Sequence, residues 1–107
     1  MLEHSDIRLL KEETFHQEIQ SGIVLVDFYA DWCGPCRMMT PVLEKVAKEV
    51  KDKATIAKLD IDSAQNVASQ CQVTSIPTLI LYKAGKEMGR LVGLRDAAAI
   101  KLFIEGA

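Results

Sequence analysis

The run Ile23-Val-Leu-Val-Asp-Phe-Tyr-Ala30 limits the folds open to this chain more than any other segment. Both alternating faces of the run are apolar, the pattern of a strand covered on two sides. Such a strand belongs in the middle of a sheet with helices above and below it. Asp27, its only charged residue, then lies inside the sandwich. The run is also far shorter than the roughly 20 apolar residues of a membrane-spanning helix, so no membrane partner is expected.

A central strand needs neighbours, and the rest of the chain supplies them. Ile7 to Leu10 reads as a short edge strand. Phe15 and Ile19, four apart, mark a short amphipathic helix over Glu12 to Gln20, closed by Gly22. From Gly34 onward Met38, Met39, Val42, Val46 and Val50 recur at helical intervals, and Pro41 is expected to kink that helix part-way. A strand over Ala54 to Ile61 and a short helix over Ala64 to Gln70 come next. Strands at Thr78 to Tyr82 and Glu87 to Val92 are joined by Lys83-Ala-Gly-Lys86, a hairpin signal. Asp96 is placed to cap a last helix over Ala97 to Ile104. The order β-α-β-α-β-α-β-β-α predicts an α/β fold with a mixed sheet, and a chain of 107 residues without linkers or repeats is expected to form a single domain over 1–107.

The chemistry gathers where the central strand meets the long helix, at Cys33-Gly-Pro-Cys36. Residues i and i+3 of a first helical turn lie one above the other, at a spacing a disulfide can span. Cys33, just outside that turn, meets the positive end of the helix dipole and free backbone N–H groups, which favour thiolate over thiol. It is the expected nucleophile, with Cys36, one turn inward, as the resolving thiol. Pro35 suits the first helical position, where its missing N–H would be unpaired in any case.

Composition narrows the alternatives. Thirteen Lys and Arg against 15 Asp and Glu give a net charge of −2 with no basic block, so nucleic acid is not an expected partner. Three cysteines are too few for a disulfide-stapled mini-protein. Half of a structural zinc site would need further ligands, and Cys71, His4 and His16 stand outside ligand spacing, so no metal is expected and the histidines read as solvated residues. The charged first residues show no apolar h-region or cleavage site, which suggests a reducing compartment, the cytoplasm.

Asp31-Trp-Cys-Gly-Pro-Cys-Arg37 after Val26-Asp-Phe-Tyr-Ala30, with Ile76-Pro-Thr78 and Gly93 downstream, resembles the thioredoxin family across essentially the whole chain. The resemblance implies a five-stranded mixed sheet flanked by four helices, general protein-disulfide reductase activity without a bound cofactor, and recharging by a thioredoxin reductase. It implies disulfide-containing client proteins as the other partners, and a monomer. It sets Lys58 on the strand beside Asp27. That pair is either a buried ion pair or a proton-transfer device in which Asp27 takes the Cys36 proton and Lys58 tunes it, and the resemblance favours the second. It makes the Ile76–Pro77 bond cis and facing the cysteines, with Trp32, Gly34, Pro35, Ile76, Val92 and Gly93 forming the client-binding surface around Cys33.

Two residues depart from the commonest family pattern. Tyr29 stands where many members have Trp and is expected to affect packing more than chemistry, and Cys71 is a third cysteine whose role is open between an inert residue at the end of the short helix, the favoured reading, and a regulatory or intermolecular thiol. An oxidase or isomerase of the same fold is disfavoured, because Gly-Pro between the cysteines adds no charge to stabilise a thiolate. A binding module is the rival from another class, and the intact cysteine pair argues against one that has shed its chemistry.

Overall fold

In the computed structural model, which describes residues 5–107, the strand foreseen from the two-faced apolar run is β2 (Ile23–Tyr29), the centre of a five-stranded sheet. The other strands are β1 (Ile7–Leu9), β3 (Thr55–Asp60), β4 (Thr78–Lys83) and β5 (Lys86–Val92). They lie in the order β1-β3-β2-β4-β5, with β1, β3 and β2 parallel and β4 and β5 antiparallel. Four helices complete the order: α1 (Phe15–Glu18), α2 (Gly34–Val50), α3 (Gln65–Gln70) and α4 (Ala97–Glu105).

Because side chains alternate along a strand, β2 feeds two separate cores. Leu25 packs with Ile56, Leu79 and Leu81 against Met39, Leu43 and Val46 of α2 and Ile100 and Ile104 of α4. Val24, Val26 and Phe28 pack on the opposite face with Phe15, Val67, Ile80 and Tyr82, under α1 and α3. Asp27, two residues from Leu25, therefore belongs to the α2 face and is fully buried there.

The expected elements are present, with differences at particular residues. Helix α1 is a single turn rather than the stretch Glu12 to Gln20, since Phe15 and Ile19 alone are buried and no side chain caps its start. Met38 is 62% exposed and off the core stripe, which runs through Met39, Leu43, Val46 and Val50. Helix α2 runs from Gly34 to Val50 with Pro41 inside it, on its exposed side. Pro35 occupies the second helical position rather than the first, where the amide is equally unneeded. The β4–β5 hairpin turns through Ala84 and Gly85 with φ of 52° and 85°, the double positive that matches the twist of its strands. His4 lies outside the described residues.

The Asp96 carboxylate accepts a hydrogen bond of 2.8 Å from the Ala99 amide, closing the start of α4. Asp96→Ala should cost about 1 kcal/mol in a urea titration while leaving disulfide reduction unchanged, and a cost near zero would show that the cap contributes nothing.

Candidate active site

The end of β2 delivers the chain directly to the start of α2, and the two cysteines sit on that junction. Cys33 is the residue that caps α2, and its Sγ accepts from the Cys36 amide at 3.2 Å. A sulfur thus fills the place usually held by a serine or aspartate oxygen. Cys33 and Cys36 are joined as a disulfide with their Cα atoms 5.2 Å apart. They pack with Ala30 and against Tyr29, Ile61 and Ile76. Cys33 keeps 5% of its surface exposed and Cys36 only 2%. Gly34 and Pro35 form the connection between them, with Pro35 exposed.

A second segment faces the disulfide from the sheet. The Ile76–Pro77 bond is cis, and the Ile76 carbonyl oxygen lies 4.0 Å from Cys33 Sγ. Thr78 pairs with Val92 across β4 and β5, and the Gly93 amide donates to the Pro77 carbonyl at 2.8 Å. That last bond is made with φ of +93° at Gly93, a conformation that side chains resist. Trp32 is 67% exposed, and its indole N–H donates to Asp62 Oδ2 at 2.9 Å. The sequence-predicted surface residues thus belong to three segments: Trp32, Gly34 and Pro35 flank Cys33, Ile76 and Pro77 face it, and Val92 and Gly93 are joined to the Pro77–Thr78 segment. Asp62 was missed, since a polar residue in a loop after a strand carries no signal of its own.

The charged residues of the two central strands lie on the α2 side of the sheet. Asp27 and Lys58 are register partners on β2 and β3, as the resemblance implied. They do not form an ion pair. Among the described residues the Asp27 carboxylate oxygens have no hydrogen-bond partner, and burial pushes its pKa from an ordinary 3.8 up to about 7 against the opposing pull of Lys58. The Lys58 ammonium turns elsewhere, donating to Thr40 Oγ1 at 3.2 Å and lying 4.3 Å above the Tyr29 ring. The Tyr29 ring is thus one of the two groups against which the Lys58 ammonium rests. Thr40 was also missed, although its position four residues after Cys36 on α2 puts both on one helical face. Tyr29, Cys36, Thr40 and Lys58 line a small cavity of about 100 Å3, together with Asp31 and Arg37.

Cys71 lies at the end of α3 with its sulfur 3.5 Å from the Tyr82 hydroxyl, in the core on the other side of the sheet. Among the described residues no group of three His, Cys, Asp or Glu is placed to hold a metal. No helix there is long and apolar enough to cross a membrane.

A redox-active cysteine pair capping a helix in this sheet order defines a thiol–disulfide oxidoreductase of the Cys-X-X-Cys class. The family model for thioredoxin matches residues 6–106. The chain belongs to the thioredoxin family, and it is a protein-disulfide reductase. It is 54% identical over 98 residues to a thioredoxin of Chlamydia trachomatis, covering 91% of this chain and 95% of that one. Against a thioredoxin of Staphylococcus saprophyticus the identity is 45% over 94 residues, 88% and 90% of the two chains. A bifunctional thioredoxin reductase/thioredoxin of Mycobacterium leprae is 51% identical over 77 residues, 72% of this chain and 17% of that one. A chain from structural work on thiol resolution in yeast mitochondrial 1-Cys peroxiredoxin through glutathione/thioredoxin systems superposes with a TM-score of 0.86 at 33% identity, covering 94% and 95%.

The raised Asp27 pKa fixes a sign for stability against pH. Below about pH 4 the carboxyl is protonated in both the folded and the unfolded chain. Between there and about 7 the native state keeps a proton that the unfolded chain has lost, so stability falls as pH rises through that window. Each pH unit inside it is worth about 1.4 kcal/mol. Denaturant titrations at pH 5 and pH 8 should show roughly 3 kcal/mol of this loss in the native chain and almost none in Asp27→Ala, whereas equal pH dependences would contradict the raised value.

Proposed function

We propose that this thioredoxin-family protein reduces disulfides in client proteins with Cys33 as nucleophile, Cys36 as resolving thiol and Asp27 as the acceptor of the Cys36 proton. The observation that carries the order of attack is the position of Cys33 at the cap of α2, at the mouth of the site, with Cys36 one turn further in. In the reduced protein a Cys33 thiolate attacks one sulfur of the client disulfide. A Cys33–client disulfide forms and the other client sulfur leaves as thiolate. The Cys36 thiol then gives its proton to the Asp27 carboxylate, and its sulfur attacks Cys33 Sγ. The bond to the client breaks, the second client thiolate departs, and two electrons have passed from the cysteine pair to the client. The product is the Cys33–Cys36 disulfide.

A carboxyl with a pKa of about 7 suits this step, because it is partly ionised near neutrality and can both take and return a proton. Lys58 tunes it by favouring the carboxylate. Trp32, Gly34, Pro35, Ile76, Pro77, Val92 and Gly93 receive the client, with the Ile76 backbone beside the reacting sulfur and the exposed Trp32 as an apolar anchor. A thioredoxin reductase returns the electrons, a pairing supported by the Mycobacterium leprae relative whose name joins the two activities. The protein works as a monomer in the cytoplasm, in electron transport that maintains redox homeostasis. A reductant of disulfides fits a compartment that keeps thiols reduced.

Cys36→Ser should accumulate covalent client adducts on Cys33 that non-reducing gels display, and Cys33→Ser should form none. Equal adducts from both variants would overturn the assignment of nucleophile and resolver. Trp32→Ala should raise KM for a protein disulfide about tenfold, the loss of some 1.4 kcal/mol of contact, while reduction of a small aromatic disulfide changes little. Equal losses toward both substrates would remove Trp32 from the client surface.

A further inference from the structure

Lys58 is the register partner of Asp27, yet its ammonium is held by two groups that the reductase cycle does not otherwise use. Thr40 Oγ1 accepts from Lys58 Nζ at 3.2 Å, and the same hydroxyl donates its single proton to the Cys36 carbonyl at 3.4 Å. A hydroxyl can do both at once, because it carries one donor and two lone pairs. The Tyr29 ring adds a cation–π contact from below. Lys58, Thr40, Tyr29 and Cys36 all line the one small cavity behind the disulfide. The Asp27 carboxylate, by contrast, is left without any hydrogen bond from the described residues.

The geometry points to Thr40 as a positioning residue: with the Tyr29 ring it seats the Lys58 ammonium at the Cys36 cavity and off the Asp27 carboxylate, and so limits how far Lys58 stabilises that carboxylate. The consequence for catalysis rests on the proposed role of Asp27 as proton acceptor. The seating of Lys58 does not.

The other charges around Lys58 are already engaged or lie toward solvent. Arg37 of α2 donates to the Asp31 carbonyl at 2.8 Å. Asp31 lies in the exposed turn after β2, and Asp60 is two residues along β3. Both carboxylates, with Asp27, add to burial in pushing the Tyr29 phenol up. Released from Thr40, the Lys58 stem is long and flexible enough to turn toward its register partner, the one carboxylate among the described residues that is fully buried.

The test is a carbon-13 NMR titration of the Asp27 carboxyl in the whole oxidised protein. Thr40→Val removes the hydroxyl and keeps the shape, and should lower the Asp27 midpoint by about one pH unit. Thr40→Ser keeps the hydroxyl and should retain the native midpoint. In a Lys58→Met background Thr40→Val should no longer move it. An unmoved or raised midpoint in Thr40→Val, the same fall in Thr40→Ser, or an undiminished fall without Lys58 would each overturn the seating. Rates of Cys36 attack on a preformed Cys33 mixed disulfide, measured against pH, test the separate question of proton transfer. Their pH profile should move with the Asp27 midpoint in Thr40→Val. If Asp27→Asn resolves at the native rate, the proton-acceptor reading fails while the midpoint still reports where Lys58 is held.

Discussion

Burial of β2 on both faces is the constraint from which the rest of the structure follows. Side chains alternate between the two faces, so a shift of one residue would drive Asp27 into the Phe15–Phe28 core and carry Phe28 under α2. The register is therefore held from above and below. Because it is held, the strand ends at one defined point, and the helix that starts there places Cys33 at its cap and Cys36 within its first turn. The reactive pair gains its geometry from a core to which it contributes little.

The same burial creates the unusual electrostatics. A carboxylate with no hydrogen-bond donor is costly inside a protein, and the ordinary remedy is a cation in contact. Asp27 has a lysine as its register neighbour without that contact, so protonation relieves the cost instead. A tight ion pair would have made the site more stable near neutrality and left the carboxylate a poor proton acceptor. Stability given up at Asp27 leaves a buried carboxyl that is partly ionised near neutrality.

What could be read from the sequence divides along the same physical line. β2, the capped helix α4, the hairpin turn and the cysteine junction are written in local patterns, namely alternation, a side-chain cap, a glycine with positive φ and an i, i+3 spacing. α1 and Met38 misled because helical spacing does not say which apolar residues will meet the sheet. Trp32 with Asp62, and Lys58 with Thr40 and Tyr29, are contacts between elements distant in sequence. Their partners are chosen by how α2 lies over the sheet, which no window of the sequence contains. The side-by-side placement of Asp27 and Lys58 came from family resemblance, whereas the absence of an ion pair between them needed coordinates.

The depth of the two sulfurs also constrains how the proposed cycle can be ordered. Cys36 is almost fully enclosed, and Cys33, little more exposed, has the Ile76 carbonyl beside its sulfur. A client to be reduced and a reductase that restores the dithiol must both exchange disulfides at this pair, and the pair presents one accessible side. In the proposed cycle the two exchanges then take place in turn at that side. Such a surface has to release each partner after exchange, which favours a few exposed apolar side chains and backbone groups over a deep, tightly matched pocket. The shallow ground around Cys33, with one large exposed indole and a glycine beside the cis-proline segment, has that character.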